Sequence, residues 1–276
     1  MRIISILVIA LIFGSTAAGA GVLDRVAESQ TLRIGFRTDA PPFSYEQEPG
    51  KAAGYSVTIC KAVADTLKAD LNLPAIGIRY IPVTAENRFE ALRNGEIDLL
   101  CGPTSATLTR RQIVDFSLPI FVDGAGLMIA EDVQISSLGE LAGKKLGVRA
   151  GTTTERAVRA TFPGANITAI EDHAEGMEAL KAGQLEAYFA DRTLLAFMRH
   201  QDPEASGLRI ADEYLSVEPY ALALPRSDSG FRLAVDQTIS RLMRNGQIHE
   251  IAKEAFGSAD LSSLVKALYR ITPLPE

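Results

Sequence analysis

The chain lacks the residues on which several common chemistries depend. No stretch is rich in Lys or Arg, and 28 basic residues against 34 acidic ones give a net charge of −6. A general basic surface for nucleic acid is therefore excluded, and any anion must be held at a local site. Only three histidines occur, His173, His200 and His249, too far apart in sequence for a metal motif. There is no GxSxG nucleophile elbow, and residues 139–145 have neither the spacing nor the Ser/Thr of a phosphate-binding loop. No metal or cofactor is expected. The only cysteines, Cys60 and Cys101, have no nearby His in a ligand or nucleophile pattern. Beyond the N-terminus no apolar run approaches the roughly 20 residues needed to cross a bilayer, so no membrane insertion of the mature chain is expected.

What is present begins with an export signature. Arg2 precedes an apolar run from Ile3 to Phe13, and small residues then lead to Ala18-Gly19-Ala20. A charged start, a short apolar stretch and a small-residue cleavage site read as a signal peptide over residues 1–20. Its removal takes Arg2 away and makes the net charge −7. Export to the periplasm suits an even pair of cysteines, because disulfides persist in oxidising compartments. Cys60 falls in a helical pattern and Cys101 ends a strand pattern, so helix-on-sheet contact can join them; two buried free thiols are the alternative.

At 276 residues, with 47% hydrophobic and 22% charged content, the chain is globular and long enough for two domains. Residues 32–37 form a strand that ends at the turn residues Asp39 to Pro42. Apolar residues at Val57, Cys60, Val63, Ala64 and Leu67 have helical spacing. A strand follows at Ile76–Val83, then a helix capped by Thr84 that ends at Asn94-Gly95, then a buried strand at Ile97–Cys101. Alternating β and α segments predict an α/β fold with mostly parallel sheets.

The pattern then repeats. Glu90-Ala91-Leu92-Arg93-Asn94-Gly95-Glu96-Ile97-Asp98 is echoed by Glu178-Ala179-Leu180-Lys181-Ala182-Gly183-Gln184-Leu185-Glu186, and Arg33-Ile34-Gly35-Phe36-Arg37 by Lys145-Leu146-Gly147-Val148-Arg149. Two echoes in the same order predict two lobes of one design. Phe121–Ala130 and Val217–Leu224 are apolar runs suited to crossing between them. The expected division is 21–122 plus 221–276 for the first lobe and 123–220 for the second. Two lobes joined by two crossovers place a cleft between the carboxyl ends of both sheets, where hinge closure can enclose a small ligand.

Two loops face such a cleft. In the segment from Cys101 to Phe116, Pro103 leaves a free carbonyl, Ser105 offers a hydroxyl and an amide, and Arg110 offers a planar fork that suits a carboxylate. Together they suit the ammonium and carboxylate of an α-amino acid; a solvated loop with a surface Arg is the bland alternative. In the second lobe, Thr152 and Glu155 fit a capping box after Gly151, and a helix N-terminus is also an anion site.

From about residue 30 to 256 the chain resembles the bacterial extracellular solute-binding proteins of family 3, which serve polar amino-acid ABC transporters. The resemblance rests on the opening strand LRIGFR, the loop APPFSY, Gly54-Tyr55, ENRFEALRNGEIDLL, the Pro103 to Arg110 segment, Asp115-Phe116-Ser117, AGTTTE and the strand ending at Asp191. Within that family it is most similar to the glutamate/aspartate-binding proteins, which are themselves related to the ligand core of ionotropic glutamate receptors. The resemblance implies a type II periplasmic-binding-protein fold, two lobes joined by two hinge strands. It implies a monomer that takes an acidic amino acid and delivers it to a membrane permease, without catalysis. Arg110, with the Ser105 amide, would clamp the α-carboxylate. Pro103, Ser105 and Asp191 would meet the ammonium, Thr152 and Thr153 would bind from the second lobe, and Arg37, Arg88 and His173 would meet a side-chain carboxylate.

There are departures. Ala85 and Pro103 stand where the glutamate/aspartate binders have serines, although the receptor core also uses proline at the second place. Arg88 opens a helix, where a cation opposes the dipole unless an anion is near, and a surface pair with Glu86 or Glu90 is its bland alternative. For Arg37 the alternative is a pair with Asp39, for His173 an exposed neutral ring, and for Phe43 a core position rather than a cover over the ligand. A broad polar amino-acid binder, an exported cyclohexadienyl dehydratase and a sensor input domain are the competing readings; a dehydratase would not need the ammonium cage of Asp191 and Ser105.

Overall fold

The computed structural model describes residues 21–257 and 261–275. The segment predicted as a signal peptide lies outside them. Among the described residues no helix is long and apolar enough to cross a membrane.

Two five-stranded sheets make two lobes. The first has the order Gly77–Val83, Thr31–Arg37, Leu99–Cys101, Glu218–Leu224 and Asp115–Asp123. The second runs Asn166–Ile170, Lys145–Arg149, Ala187–Asp191, Ala125–Ala130 and Leu208–Ile210. In each sheet three strands pair in parallel and two more join through antiparallel pairing, so that one strand of the five runs against the other four and the sheets are mixed. The antiparallel strands are those through which the chain crosses between lobes. Asp115–Asp123 and Glu218–Leu224 pair with each other, from Glu218 opposite Asp123 to Leu224 opposite Asp115, and so form a two-stranded hinge.

The internal echo has a physical basis. Asp98 accepts the Arg33 amide at 2.7 Å, and its counterpart Glu186 accepts the Lys145 amide at 2.8 Å. A Cβ on Gly35 would come within 2.3 Å of Ile97, and one on Gly147 within 2.4 Å of Leu185, so each repeat needs glycine where its bulky apolar residue packs on the first strand. Arg37 and Arg149 therefore occupy equivalent ends of equivalent strands.

Helix packing on these sheets follows the apolar spacing. The helix Tyr55–Asp70 buries Val57, Cys60, Val63, Ala64 and Leu67 in the first-lobe core. Its first amides find partners in the preceding loop, Tyr55 on the Pro42 carbonyl and Ser56 on that of Phe43, each at 2.9 Å. Gly54 permits this approach: its φ is +112°, and a Cβ there would lie 2.6 Å from the Phe43 carbonyl. Phe43 is consequently a core residue, fully buried against Tyr55, Phe121, Tyr220 and Phe256, and does not cover a ligand. This aromatic cluster sits under both hinge strands, and the Tyr55 hydroxyl donates to the Ile120 carbonyl at 2.6 Å. Thr84 does not cap the next helix; its hydroxyl accepts from the amides of Glu86 and Asn87 in a turn, and the helix starts at Arg88.

Cys60 and Cys101 are joined in a disulfide that closes a loop of sequence separation 41 and ties the helix Tyr55–Asp70 to the strand leading into Pro103. In the chain-entropy account a loop of this length contributes about 4 kcal/mol. Replacing both cysteines with serine is expected to lower the unfolding free energy by about that amount, read as a reduced denaturation midpoint.

Candidate functional site

The cleft between the lobes narrows to a small cavity with about 20 Å³ of free space. All nine residues singled out from the sequence line it: Arg37, Arg88, Pro103, Ser105 and Arg110 from the first lobe, Thr152, Thr153, His173 and Asp191 from the second. Each sits where a strand or loop ends at the cleft. Arg149, which the sequence reading treated only as a strand end, joins them, as do Thr154, Ala190 and Leu194.

Four arginines reach it, two paired with carboxylates and two not. Arg37, Arg88, Arg110 and Arg149 are each no more than 6% exposed. Arg37 is tied to Asp39 in a fork, Nε to Oδ1 at 2.7 Å and Nη2 to Oδ2 at 2.8 Å. The pair considered for it from sequence thus exists, although the guanidinium still faces the cavity. Arg149 reaches across the cleft, donating to Asp39 at 3.2 Å and to Glu86 at 3.0 Å. Burial opposes ionisation of Asp39, but the Arg37 and Arg149 charges hold its carboxyl below the usual range.

Arg88 differs. Its Nη1 donates to the Ala85 carbonyl at 2.7 Å, its Nε is buried without a partner, and no carboxylate among the described residues pairs with it. The surface pair with Glu86 or Glu90 is not formed, because the side chain turns inward beside the Phe89 ring. Burial, then the neighbouring Arg37 and Arg110 charges, push its guanidinium well below its ordinary value. Arg110 is similar: Nη1 donates to the Ser105 carbonyl at 2.9 Å, the group lies over Phe89 from the other side of the sequence, and burial with Arg156 pushes it down to about 10. A buried cation without a counter-ion is costly, so these two guanidinia are poised for an anion from outside the chain.

The opposite character prevails near the hinge. Asp191, Glu218 and Asp123 approach one another from the second-lobe strand end and the two hinge strands. Burial and the Glu218 charge raise the Asp191 carboxyl to about 6, and burial followed by Asp191 raises Asp123 to about 7. Asp191 accepts from Thr154 at 3.3 Å, and Asp123 from the Thr193 amide at 3.0 Å. Together with the Pro103 wall and the Ser105 and Thr153 hydroxyls, this end is built for a cation.

Two candidate residues play narrower parts than their types allow. His173 is buried, not exposed; its Nδ1 lies 2.8 Å from the Tyr188 hydroxyl, and burial followed by Arg37 lowers its pKa to about 3. It is a neutral hydrogen-bonding group, so it adds no charge to the arginine cluster. Thr152 caps the helix Thr153–Thr161, accepting from the Glu155 amide at 3.1 Å and donating to the Arg149 carbonyl at 2.7 Å. Its proton is thus committed to the Arg149 carbonyl, leaving one lone pair beyond the cap, and Glu155 turns to the Gly151 amide at 3.0 Å rather than back to Thr152.

Known proteins share this design. An L-glutamate/L-aspartate-binding protein of Pseudomonas aeruginosa is 32% identical over 241 residues, 86% of this chain and 80% of that one. A glutamate/aspartate import solute-binding protein of Salmonella typhimurium is 30% identical over 271 residues, 93% of this chain and 89% of that one. Among solved structures, an ancestral arginine-binding protein bound to glutamine superposes with a TM-score of 0.75 at 29% identity, over 83% of this chain and 99% of that one. The sequence profile of the bacterial extracellular solute-binding proteins, family 3, matches residues 32–258, and the chain belongs to that family.

Proposed function

We propose that the protein binds an acidic L-α-amino acid, glutamate or aspartate, in the interlobe cleft, and delivers it to an ABC permease in the membrane after export to the periplasm. The observation that carries this reading is Arg88, a buried guanidinium with no carboxylate partner, beside Arg37 and Arg110 in a cavity that Asp191 also lines. Arg110 beside Ser105, and Arg88 with Arg37, suit two carboxylates, and Asp191 suits one ammonium. Arg110 takes the α-carboxylate, and the Pro103 carbonyl, Ser105 and Asp191 take the ammonium. Arg88, with Arg37 and the neutral His173, takes the side-chain carboxylate. The named relatives support the choice of ligand class.

A neutral polar ligand such as glutamine is the second reading. It is favoured by the Arg37–Asp39 fork, which already neutralises one of the three cations, and by Ala85, which brings no hydroxyl.

Binding should depend on pH with a defined sign. A carboxyl raised to about 6, as Asp191 is, must give up its proton to hold an ammonium, so affinity rises as pH climbs through 6. A single such group changes affinity about tenfold between pH 5 and 7. The ligand-free fold shows the opposite trend. The stabilising effect of raised carboxyls is fully present below the ordinary carboxylate range and lost as pH rises through about 6 for Asp191 and about 7 for Asp123. Calorimetry of L-glutamate and L-aspartate in buffers of different ionisation enthalpy reads the released proton directly. Affinity that is flat or falls from pH 5 to 7, without proton release, contradicts the ammonium site.

A further inference from the structure

Glu218 heads a hinge strand, is 8% exposed, and makes no ion pair among the described residues. Its carboxylate is held instead by hydroxyls. Oε2 accepts from Ser105 Oγ in a short bond and from Thr153 Oγ1 at 2.5 Å, and Oε1 accepts from Ser216 Oγ at 2.7 Å. Ser105 belongs to the first lobe, Thr153 to the second, and Ser216 to the returning crossover, where it also accepts from the Ala125 amide at 3.1 Å. One carboxylate thus gathers both lobes and the hinge.

A hydroxyl carries one proton, and a carboxylate can only accept. Ser105 and Thr153 both line the cavity, and with their protons committed to Glu218 each has only lone pairs to offer a ligand. Their oxygens lie 3.2 Å apart, two acceptors facing each other, an arrangement relieved by a cationic donor that serves both. We infer that Glu218 is a positioning residue for specificity: it fixes the polarity of the Ser105 and Thr153 hydroxyls, so that this end of the cavity takes an ammonium and rejects a ligand without one. The inference rests on the amino-acid reading above and adds the residue that enforces its ammonium requirement. Because Oε2 can take both protons only when the lobes are together, the polarity is set in the closed form.

The test compares L-glutamate with glutarate, which carries the same two carboxylates and no ammonium, on the wild type, Glu218→Gln and Glu218→Asp. In Glu218→Gln the charge is lost and one oxygen becomes an amide group that only donates. L-Glutamate affinity is expected to fall thirtyfold or more, with glutarate changing less than threefold, so that the preference for the amine collapses. Glu218→Asp keeps the charge but cannot reach both hydroxyls, and an intermediate preference is expected. A general loss of structure would weaken both ligands together. The assignment is overturned if the glutamate-to-glutarate ratio of either folded variant stays within threefold of the wild type, whether both affinities fall or neither moves. If the wild type prefers L-glutamine, the acidic-ligand reading fails while Glu218 is still decided by the same ratio, taken between L-glutamine and glutaramate. If the wild type binds no amino acid, both fail.

Discussion

Replacing Arg88 with methionine is expected to abolish tight binding of glutamate and aspartate while making the ligand-free protein more stable. The two effects have one cause. In the ligand-free protein Arg88 is a buried cation beside two others, satisfied by a single carbonyl and lacking a partner at Nε. Substituting buried ionic groups with apolar ones of similar size is often stabilising by about 1–4 kcal/mol, and methionine fills much of the same volume. For a chain of this length each kcal/mol shifts the melting temperature by about 2–4 °C, so a rise of several degrees is expected. With an acidic ligand the balance reverses. A charge-assisted hydrogen bond is worth about 1.5–3 kcal/mol, so losing the Arg88 fork costs a hundredfold or more in glutamate affinity and much less for glutamine. Unchanged glutamate affinity would remove Arg88 from the side-chain pocket. A lower melting temperature would mean that internal contacts already compensate its charge.

Arg110→Ala carries the other large effect and lacks the selectivity. Arg110 faces the cavity from the turn after Ser105, and its guanidinium is held by the Ser105 carbonyl and the Phe89 ring. It is assigned the α-carboxylate, which every amino acid has. Truncating one member of a buried charge pair costs about 2–5 kcal/mol, so affinity should fall by a factor between about thirty and several thousand for acidic and neutral amino acids alike. Equilibrium binding of glutamate, aspartate and glutamine to this variant checks the assignment. A loss confined to the dicarboxylates would exchange the roles of Arg110 and Arg88.

The contrast between these two arginines shows what the sequence could carry. The lobes were legible because glycine stops and apolar periodicity are local: Gly95 and Gly183 end equivalent helices, and Gly35 and Gly147 sit under Ile97 and Leu185. The site was legible as a set of residues at strand ends, where a two-lobed α/β chain turns toward its cleft. Which of those cations are neutralised was not, since Arg37 has an acidic residue two positions on and Arg88 has two within reach, yet only Arg37 turns toward its neighbour. That outcome depends on side-chain direction set by packing. Arg149 had a signal that went unused, because the echo aligning residues 33–37 with 145–149 makes it the counterpart of Arg37. Glu218 had none. One carboxylate at the head of an apolar strand has no spacing to mark it, and its three hydroxyl partners lie 2, 65 and 113 residues away. The short three-residue strand at Leu208 likewise owes its form to pairing with a neighbour rather than to pattern.

The central claim is that the cleft demands an anion at both ends of a small amino acid. Titration calorimetry of the unmodified protein at pH 7.5 against the twenty amino acids tests it most directly. L-Glutamate or L-aspartate is predicted to bind tightest, with glutamine weaker by a hundredfold or more. Tight binding of a neutral or basic amino acid, with no acidic one detected, would contradict the account.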